Sequence, residues 1–317
     1  MKRGEGMFRM TCIALAVLLA PTLASSADDP PPEGWQITAD LGLNFNQSSY
    51  SDSWKGGEQA AISWTLSANG VAEKQMSPKA NWRNTLKLSF GQTHLQEEDP
   101  NNSGERHWAS PEKSTDRIFF ESLFRLTLGH FVDPYGSVTF ESQFYDPSHP
   151  AVDRFINPIL LTESAGVGRT LIKNEQTELY SRLGGAIRQH IDNEIGMDTV
   201  SVVPLDIDYP TEFASTLDGG LEWVTDFKHT FAGERMKYDS KLRLFQAFFY
   251  SESDDLEGLP EEDYWKTADI AWENTFSASV SKYIQVSLFF ELLYDKEIDL
   301  RGRFRENLGL GVAYKLF

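Results

Sequence analysis

His94, His107, His130, His149, His190 and His229 are the side chains whose type best suits general acid–base work. Hydrolysis of a lipid ester would need one of them beside a nucleophile near one rim of a fold. His94 lies two residues after Gln92, and His190 stands between Arg188 and Asp192, yet neither comes with a serine constellation or a nucleophile-elbow motif. No histidine pair at helical metal spacing and no Gly-rich phosphate loop occurs. The one cysteine, Cys12, falls in an N-terminal apolar run, so the rest of the chain has no thiolate nucleophile, thiolate metal site or disulfide. Catalysis is therefore not the expectation, and no catalytic, cofactor-binding or metal-ligating set is assigned.

The more informative chemistry is ionic. Acids recur at Asp40, Glu121, Glu141, Asp218, Glu222, Asp226, Asp239, Asp269, Glu273, Glu291 and Asp295. Bases recur at Arg83, Lys87, Arg125, Arg182, Arg188, Lys228, Lys241, Arg243 and Arg305. Each sits on the polar side of a stretch that alternates apolar and polar residues. Nearly balanced signs allow cross-strand ion pairs that hold a wall together. They also allow a basic side facing an acidic side, a transverse field that would select small polar or zwitterionic solutes. The stretch ESDDLEGLPEED (252–263) adds seven acids and no base. That pattern suits a solvated surface or a weak divalent-cation site, although its spacing is not that of an EF-hand loop.

The elements that carry these charges have a period of two. In WQITADLGLNFNQ, Trp35, Ile37, Ala39, Leu41, Leu43 and Phe45 share one face, while Gln36, Thr38, Asp40, Gly42, Asn44 and Asn46 share the other. The alternation returns near 62–69, 82–90, 120–128, 138–144, 217–228, 270–280 and 285–295, and the chain closes on NLGLGVAYKLF. Residues 159–172, 177–191 and 237–251 alternate less cleanly, with Glu163 and Arg169 on an otherwise apolar face. The count is twelve strands. Connectors alternate too: long near 48–58, 96–114, 146–158, 192–215, 252–264 and 296–303, short at 76–80, 132–136, 173–176, 229–235 and 281–284. Long loops and tight turns around an even number of antiparallel strands describe a closed up-and-down transmembrane β-barrel. A soluble β-sandwich or lipocalin-like barrel is the competing fold. Aromatic residues at the ends of the apolar faces favour the membrane form, as interfacial girdles would: Trp35, Trp82, Tyr238, Tyr283 and Tyr314 on the turn side, Tyr50, Trp54, Tyr145, Tyr250, Trp265 and Tyr294 on the loop side.

The N-terminus adds an address. Lys2, Arg3 and Arg9 precede CIALAVLLA (12–20), followed by Pro21 and a small-residue stretch to Ala27, the layout of a cleaved secretory signal over 1–27. Residues 28–34 read as a flexible Pro-rich lead and 35–317 as one barrel in the bacterial outer membrane. The formal charge of −18 over 317 residues argues against a nucleic-acid partner. The expected partners are the bilayer, lipopolysaccharide and the barrel-assembly machinery, with divalent cations at 252–263 as a further option.

Two stretches, LNFNQSSYSDSWKGGEQAAISWTLSANGVAEKQ (43–75) and WRNTLKLSFGQ (82–92), resemble a family of uncharacterised bacterial outer-membrane proteins, domain of unknown function 3078. Trp54, Gly56, Gly57, Trp82, Asn84, Leu86, Leu88, Phe90 and Gly91 carry the likeness. The resemblance implies an outer-membrane location and no established activity. The terminal Phe317 is similar to a barrel-assembly signal, except that the aromatic before it is Tyr314 and the intervening position is Lys315. Trp35, Tyr314 and Phe317 are thus assigned to the seam where the first and last strands meet.

Twelve strands at the usual spacing and tilt enclose roughly 24 Å between backbones. The leading expectation is a narrow diffusion channel or small polar-solute transporter. The alternatives are a non-conducting structural or surface-interaction barrel and, third, an outer-membrane lipid hydrolase.

Overall fold

The structure, a computed structural model, describes residues 34–50, 59–98, 106–149, 152–195, 211–231, 233 and 235–315. The expected leader and most of the Pro-rich lead, Trp54 with Gly56 and Gly57, and Phe317 lie outside them. Fifteen strands run through the described residues: β1 (Gln36–Ser48), β2 (Ala61–Ser77), β3 (Ala80–Glu98), β4 (Arg106–Trp108), β5 (Glu112–Leu126), β6 (Asp133–Ser142), β7 (Tyr145–His149), β8 (Val152–Phe155), β9 (Ile159–Lys173), β10 (Thr177–Ile195), β11 (Thr211–Phe231), β12 (Met236–Tyr250), β13 (Asp269–Ser279), β14 (Ile284–Tyr294) and β15 (Arg303–Lys315).

Twelve of them close a ring in the order β1, β2, β3, β5, β6, β9, β10, β11, β12, β13, β14, β15 and back to β1, every pair antiparallel. The three irregular stretches of sequence each form one strand, β9, β10 and β12. The strands β4, β7 and β8 are additions within the long connectors: β4 extends β3, and β7 and β8 form a separate hairpin. That hairpin is tied to the barrel by a compact polar cluster. Arg154 pairs with Asp146 at 2.7 Å and Asp192 at 3.3 Å, and Asn157 Nδ2 donates to the same two carboxylates at 2.9 and 2.7 Å.

The period-two pattern separates two environments. Each barrel strand presents an exposed apolar side chain outward: Leu43, Leu66, Leu86, Phe120, Val138, Val167, Leu183, Trp223, Phe248, Ile270, Leu292 and Leu308, one per strand around the ring. A water-soluble monomer rarely shows a continuous apolar surface of that extent. Charged residues occupy the inside, the reverse of a soluble barrel, so the fold is a transmembrane β-barrel. Outward-facing indoles are satisfied within the wall. Trp82, Trp223 and Trp272 donate from Nε1 to Ser122, Ser181 and Ser240 on adjacent strands at 2.8, 2.8 and 3.0 Å. An N–H in hydrocarbon has no water to turn to, and a neighbouring hydroxyl supplies the acceptor.

Candidate functional site

The interior is asymmetric. On one side, ion pairs cross the bore between strands far apart in the ring. Arg117 on β5 donates to Glu273 on β13 at 2.5 Å, although these strands are six places apart and therefore diametrically opposed. Lys87 on β3 reaches the same carboxylate at 3.2 Å. Glu121 on β5 accepts from Arg182 on β10 at 2.5 Å and from Lys241 on β12 at 2.9 Å. Arg243 on β12 pairs with Glu141 on β6 and lies 3.7 Å from Glu222, while Arg117 also approaches Glu141 at 3.9 Å. Near the loop-side mouth Arg188 holds Asp218 at 2.5 Å and Asp269 at 2.7 Å.

At the centre of this partition stands Phe119, with no exposed surface. Lys87, Arg117 and Lys241 sit 5.3, 5.1 and 5.2 Å from its ring centroid. Three cations can share one aromatic because the ring quadrupole is negative on its faces. The carboxylates that balance them are largely covered: the Glu121 and Glu273 side chains are 8% and 11% exposed.

Of the strands read from sequence as a basic side (β3, β5, β10) and an acidic side (β11, β13, β14), β3 and β5 meet β13 across the bore, whereas β10 pairs with its neighbour β11 through Arg188 and Asp218 and with β5 through Arg182 and Glu121. They do not leave a field across an open bore, however, because their side chains are long enough to meet and neutralise each other. Arg117 and Phe119 were not among the residues singled out from sequence. Stepping back by twos from Glu121 reaches both, but the apolar run Ile118–Phe119–Phe120 conceals the register.

The opposite side of the interior is open. A cavity of about 600 Å³ runs from Arg235 and Ser279 at the turn-side rim, along the β15–β1–β2–β3 wall, as far as Ser114. On that wall its lining is short and polar, Thr38, Asp40, Asn44, Thr65, Ser67 and Asn69; on the other side it meets the partition at Arg117, Phe119, Glu121 and Glu273, and beyond it Tyr180, Asp226 and Lys228 on β10 and β11. Thr38, Asp40 and Asn69 are exposed although they belong to the inward face, and Asn69 Nδ2 donates to Asp40 at 3.0 Å. Arg83 and Arg125 also line the cavity, Arg125 held by Glu73 at 3.4 Å and Asn81 at 2.9 Å. Glu291 is covered by Arg305 at 2.5 Å.

The remaining sequence-assigned residues fall as follows. Trp35 packs on Trp82, ring centroids 5.2 Å apart, and Tyr314 lies opposite Leu41 across the seam. Trp265 is not a rim aromatic as the sequence suggested. It packs against Phe245, Ala186 and Ala247, because the connector carrying it is anchored by Gln246 Nε2 donating to Lys266 O at 2.8 Å. His190 Nε2 lies 4.0 Å from Asp218, at the loop-side end of the partition. In the neighbouring β14–β15 connector, Glu297 is pushed up to about 7 by burial and then by the charges of Asp295 and Asp269. Among the described residues no three acidic, histidine or cysteine side chains converge to hold a metal ion, the acidic stretch 252–263 included.

Residues 45–147 match a family described as protein of unknown function (DUF3078). No curated protein sequence matches the chain. Among solved structures, the COG4313 outer membrane channel from Pseudomonas putida F1 is similar at 9% identity and a TM-score of 0.37, covering 92% of this chain and 99% of that one. The translocator domain of autotransporter NalP from Neisseria meningitidis is similar at 9% identity and 0.38, covering 90% of each chain. The β domain of the Bordetella autotransporter BrkA is similar at 10% identity and 0.33, covering 90% and 99%. No property of these proteins transfers to the chain at that level of likeness.

Proposed function

We propose that the protein is a bacterial outer-membrane channel for small polar solutes, with an off-centre passage along the β15–β1–β2–β3 wall. The observation that carries this reading is the division of the lumen. One half is filled by ion pairs that span the bore, and the other keeps exposed polar side chains, Thr38, Asp40 and Asn69, facing a cavity. A structural barrel has no need to leave one wall wet while packing the other. The apolar belt and the leader-like N-terminus support the outer membrane, where closed barrels span the bilayer.

The passage is narrow by construction. Partition side chains reach from three to six strands away, so a wide pore of the kind formed by sixteen strands is not available. Solutes passing it would be small and hydrated, sorted by hydrogen bonding to Ser, Thr and Asn.

A second reading, a non-conducting barrel, draws on the same ion pairs, which stiffen the wall whether or not anything passes. Purified protein in planar bilayers separates the two. The channel reading expects discrete small conductance steps that Asn69→Trp, a bulky side chain in the passage, reduces by at least half. Absence of steps in the wild type, at any voltage or salt, would leave the non-conducting reading in its place.

A further inference from the structure

The ring closes least completely where its two ends meet. Among the described residues, the strands β1 and β15 pair over five residues, from Asp40↔Lys315 to Asn44↔Gly311. The next shortest barrel ladder, β5–β6, runs for eight, and β10–β11 for nineteen. Toward the loop side of Asn44, residues 45–48 keep only β2 as neighbour, and residues 303–310 keep only β14, among the described residues. The ladder stops at a definite feature. Gly309 and Gly311 lack side chains where the Asn44 carboxamide stands against β15, and a Cβ on Gly309 would come within 2.6 Å of Asn44 Cγ.

Unpaired strand edges at membrane depth leave backbone N–H and C=O groups without partners unless the slot between them is wet or filled. The two faces of this slot differ in chemistry. Outward stand Phe45, Phe304 and Leu308, at 57%, 59% and 68% among the most exposed apolar side chains of the barrel wall. Inward, the cavity reaches both sides of the slot, at Asn44 on β1 and at Arg305 and Asn307 on β15. The inward charges shown to the cavity here are cationic: the Lys87 and Arg305 side chains are 37% and 48% exposed, while their partners Glu273 and Glu291 are 11% and 6% exposed, and the acid Glu306 borders the cavity from the outward face of β15, between Phe304 and Leu308.

We propose that the β1–β15 seam is a lateral portal that binds an anionic single-chain amphiphile, such as a long-chain carboxylate. The head group sits at Lys87 and Arg305, and the chain leaves between Phe45 and Leu308 into the bilayer. A slot made by omitting part of one ladder admits one extended chain rather than several abreast. A head group inside and a chain outside also satisfies both surfaces at once. This binding is separate from conduction and is read without any current.

The test uses the full chain carrying Cys12→Ser, in nanodiscs of zwitterionic phospholipid, with 11-(dansylamino)undecanoate as probe and its primary-alcohol analogue as the uncharged control. Continuing the register from Asn44↔Gly311 places Phe45 opposite Leu310, so the pair Phe45→Cys and Leu310→Cys locks the slot when oxidised. The expected results are saturable binding of the carboxylate, loss of about tenfold or more in affinity on oxidation, and recovery on reduction. Lys87→Gln with Arg305→Gln is expected to weaken the carboxylate by a similar factor and to leave the alcohol unchanged. Equal binding with the slot locked and open overturns the proposal, as does equal loss of carboxylate and alcohol in the charge variant. If the cysteine pair does not oxidise, the charge variant decides alone. Self-association through this edge, abolished by the lock while probe binding is absent, would instead assign the edge to a second copy of the chain.

Discussion

Replacing Glu273 by glutamine removes the charge on which the central partition converges. The carboxylate accepts from Arg117 at 2.5 Å and from Lys87 at 3.2 Å, with the Glu273 and Arg117 side chains only 11% and 15% exposed. Removing one partner of a buried ion pair costs about 3–5 kcal/mol, because the other charge is left uncompensated. Two features reduce that figure here. Arg117 keeps Glu141 at 3.9 Å, and Lys87 is more than one-third exposed, so water takes back part of its charge. The expected loss is therefore about 2–3 kcal/mol. Urea unfolding in lipid vesicles, followed by tryptophan fluorescence, measures it. Asp299→Asn, which breaks the exposed Arg301–Asp299 pair, is the control and should leave the midpoint unchanged. A cycle with Arg117→Met sharpens the test: the double variant should lose less than the sum of the single ones by about 1–3 kcal/mol. A Glu273→Gln protein that matches the control, or single losses that simply add, would refute the cross-lumen partition.

Other outcomes follow from the wall and the loops. Ser181→Ala strips the acceptor from Trp223 Nε1 within the apolar belt and should cost about 1–2 kcal/mol in the same unfolding assay. Glu163 faces outward on β9 between Val138 and Ile187, with no hydrogen bond or ion pair among the described residues. Glu163→Leu should therefore stabilise the barrel in lipid by about 1–2 kcal/mol. Glu297 has its folded value raised from 4.5 to about 7, so the stability it contributes is present below about pH 4.5 and is lost as pH rises through 7. Hydrogen-exchange protection in the connector 295–302, measured relative to the intrinsic rate at each pH, should be greater at pH 5 than at pH 8, and Glu297→Gln should remove the difference.

How far the structure could be read in advance depended on whether a feature is local. The alternation in WQITADLGLNFNQ is complete within one strand, so β1, its outward face and the long-then-short connectors were legible. Glu163 was also placed correctly on the apolar face of β9, since period two needs no partner. The pairing of Arg117 with Glu273 was not legible. Alternation states which face a side chain occupies and says nothing of which strand it meets six places away. Arg117 and Phe119 were missed because an inward phenylalanine breaks the apolar-out rule on which the register was read. Trp265 was misplaced for a different reason. It belongs to a connector with no periodicity, and its turn inward is set by a tertiary bond from Gln246 to the Lys266 carbonyl. The cluster of Asp146, Arg154, Asn157 and Asp192 likewise joins connector to strand across more than thirty residues and leaves no short-range trace. The shortened β1–β15 ladder was hidden because both strands alternate well on their own.

The division of the lumen into a filled half and a wet half is tested most directly by single cysteines in the Cys12→Ser chain, reacted in intact vesicles with a small charged thiol reagent. Thr38→Cys and Asn69→Cys lie on the exposed inward wall, and Thr162→Cys and Ser164→Cys on β9 are 4% and 6% exposed in the parent residues. The account predicts that the first pair reacts at least about tenfold faster than the second, burial limiting access to the thiol. Equal rates at all four positions would contradict it.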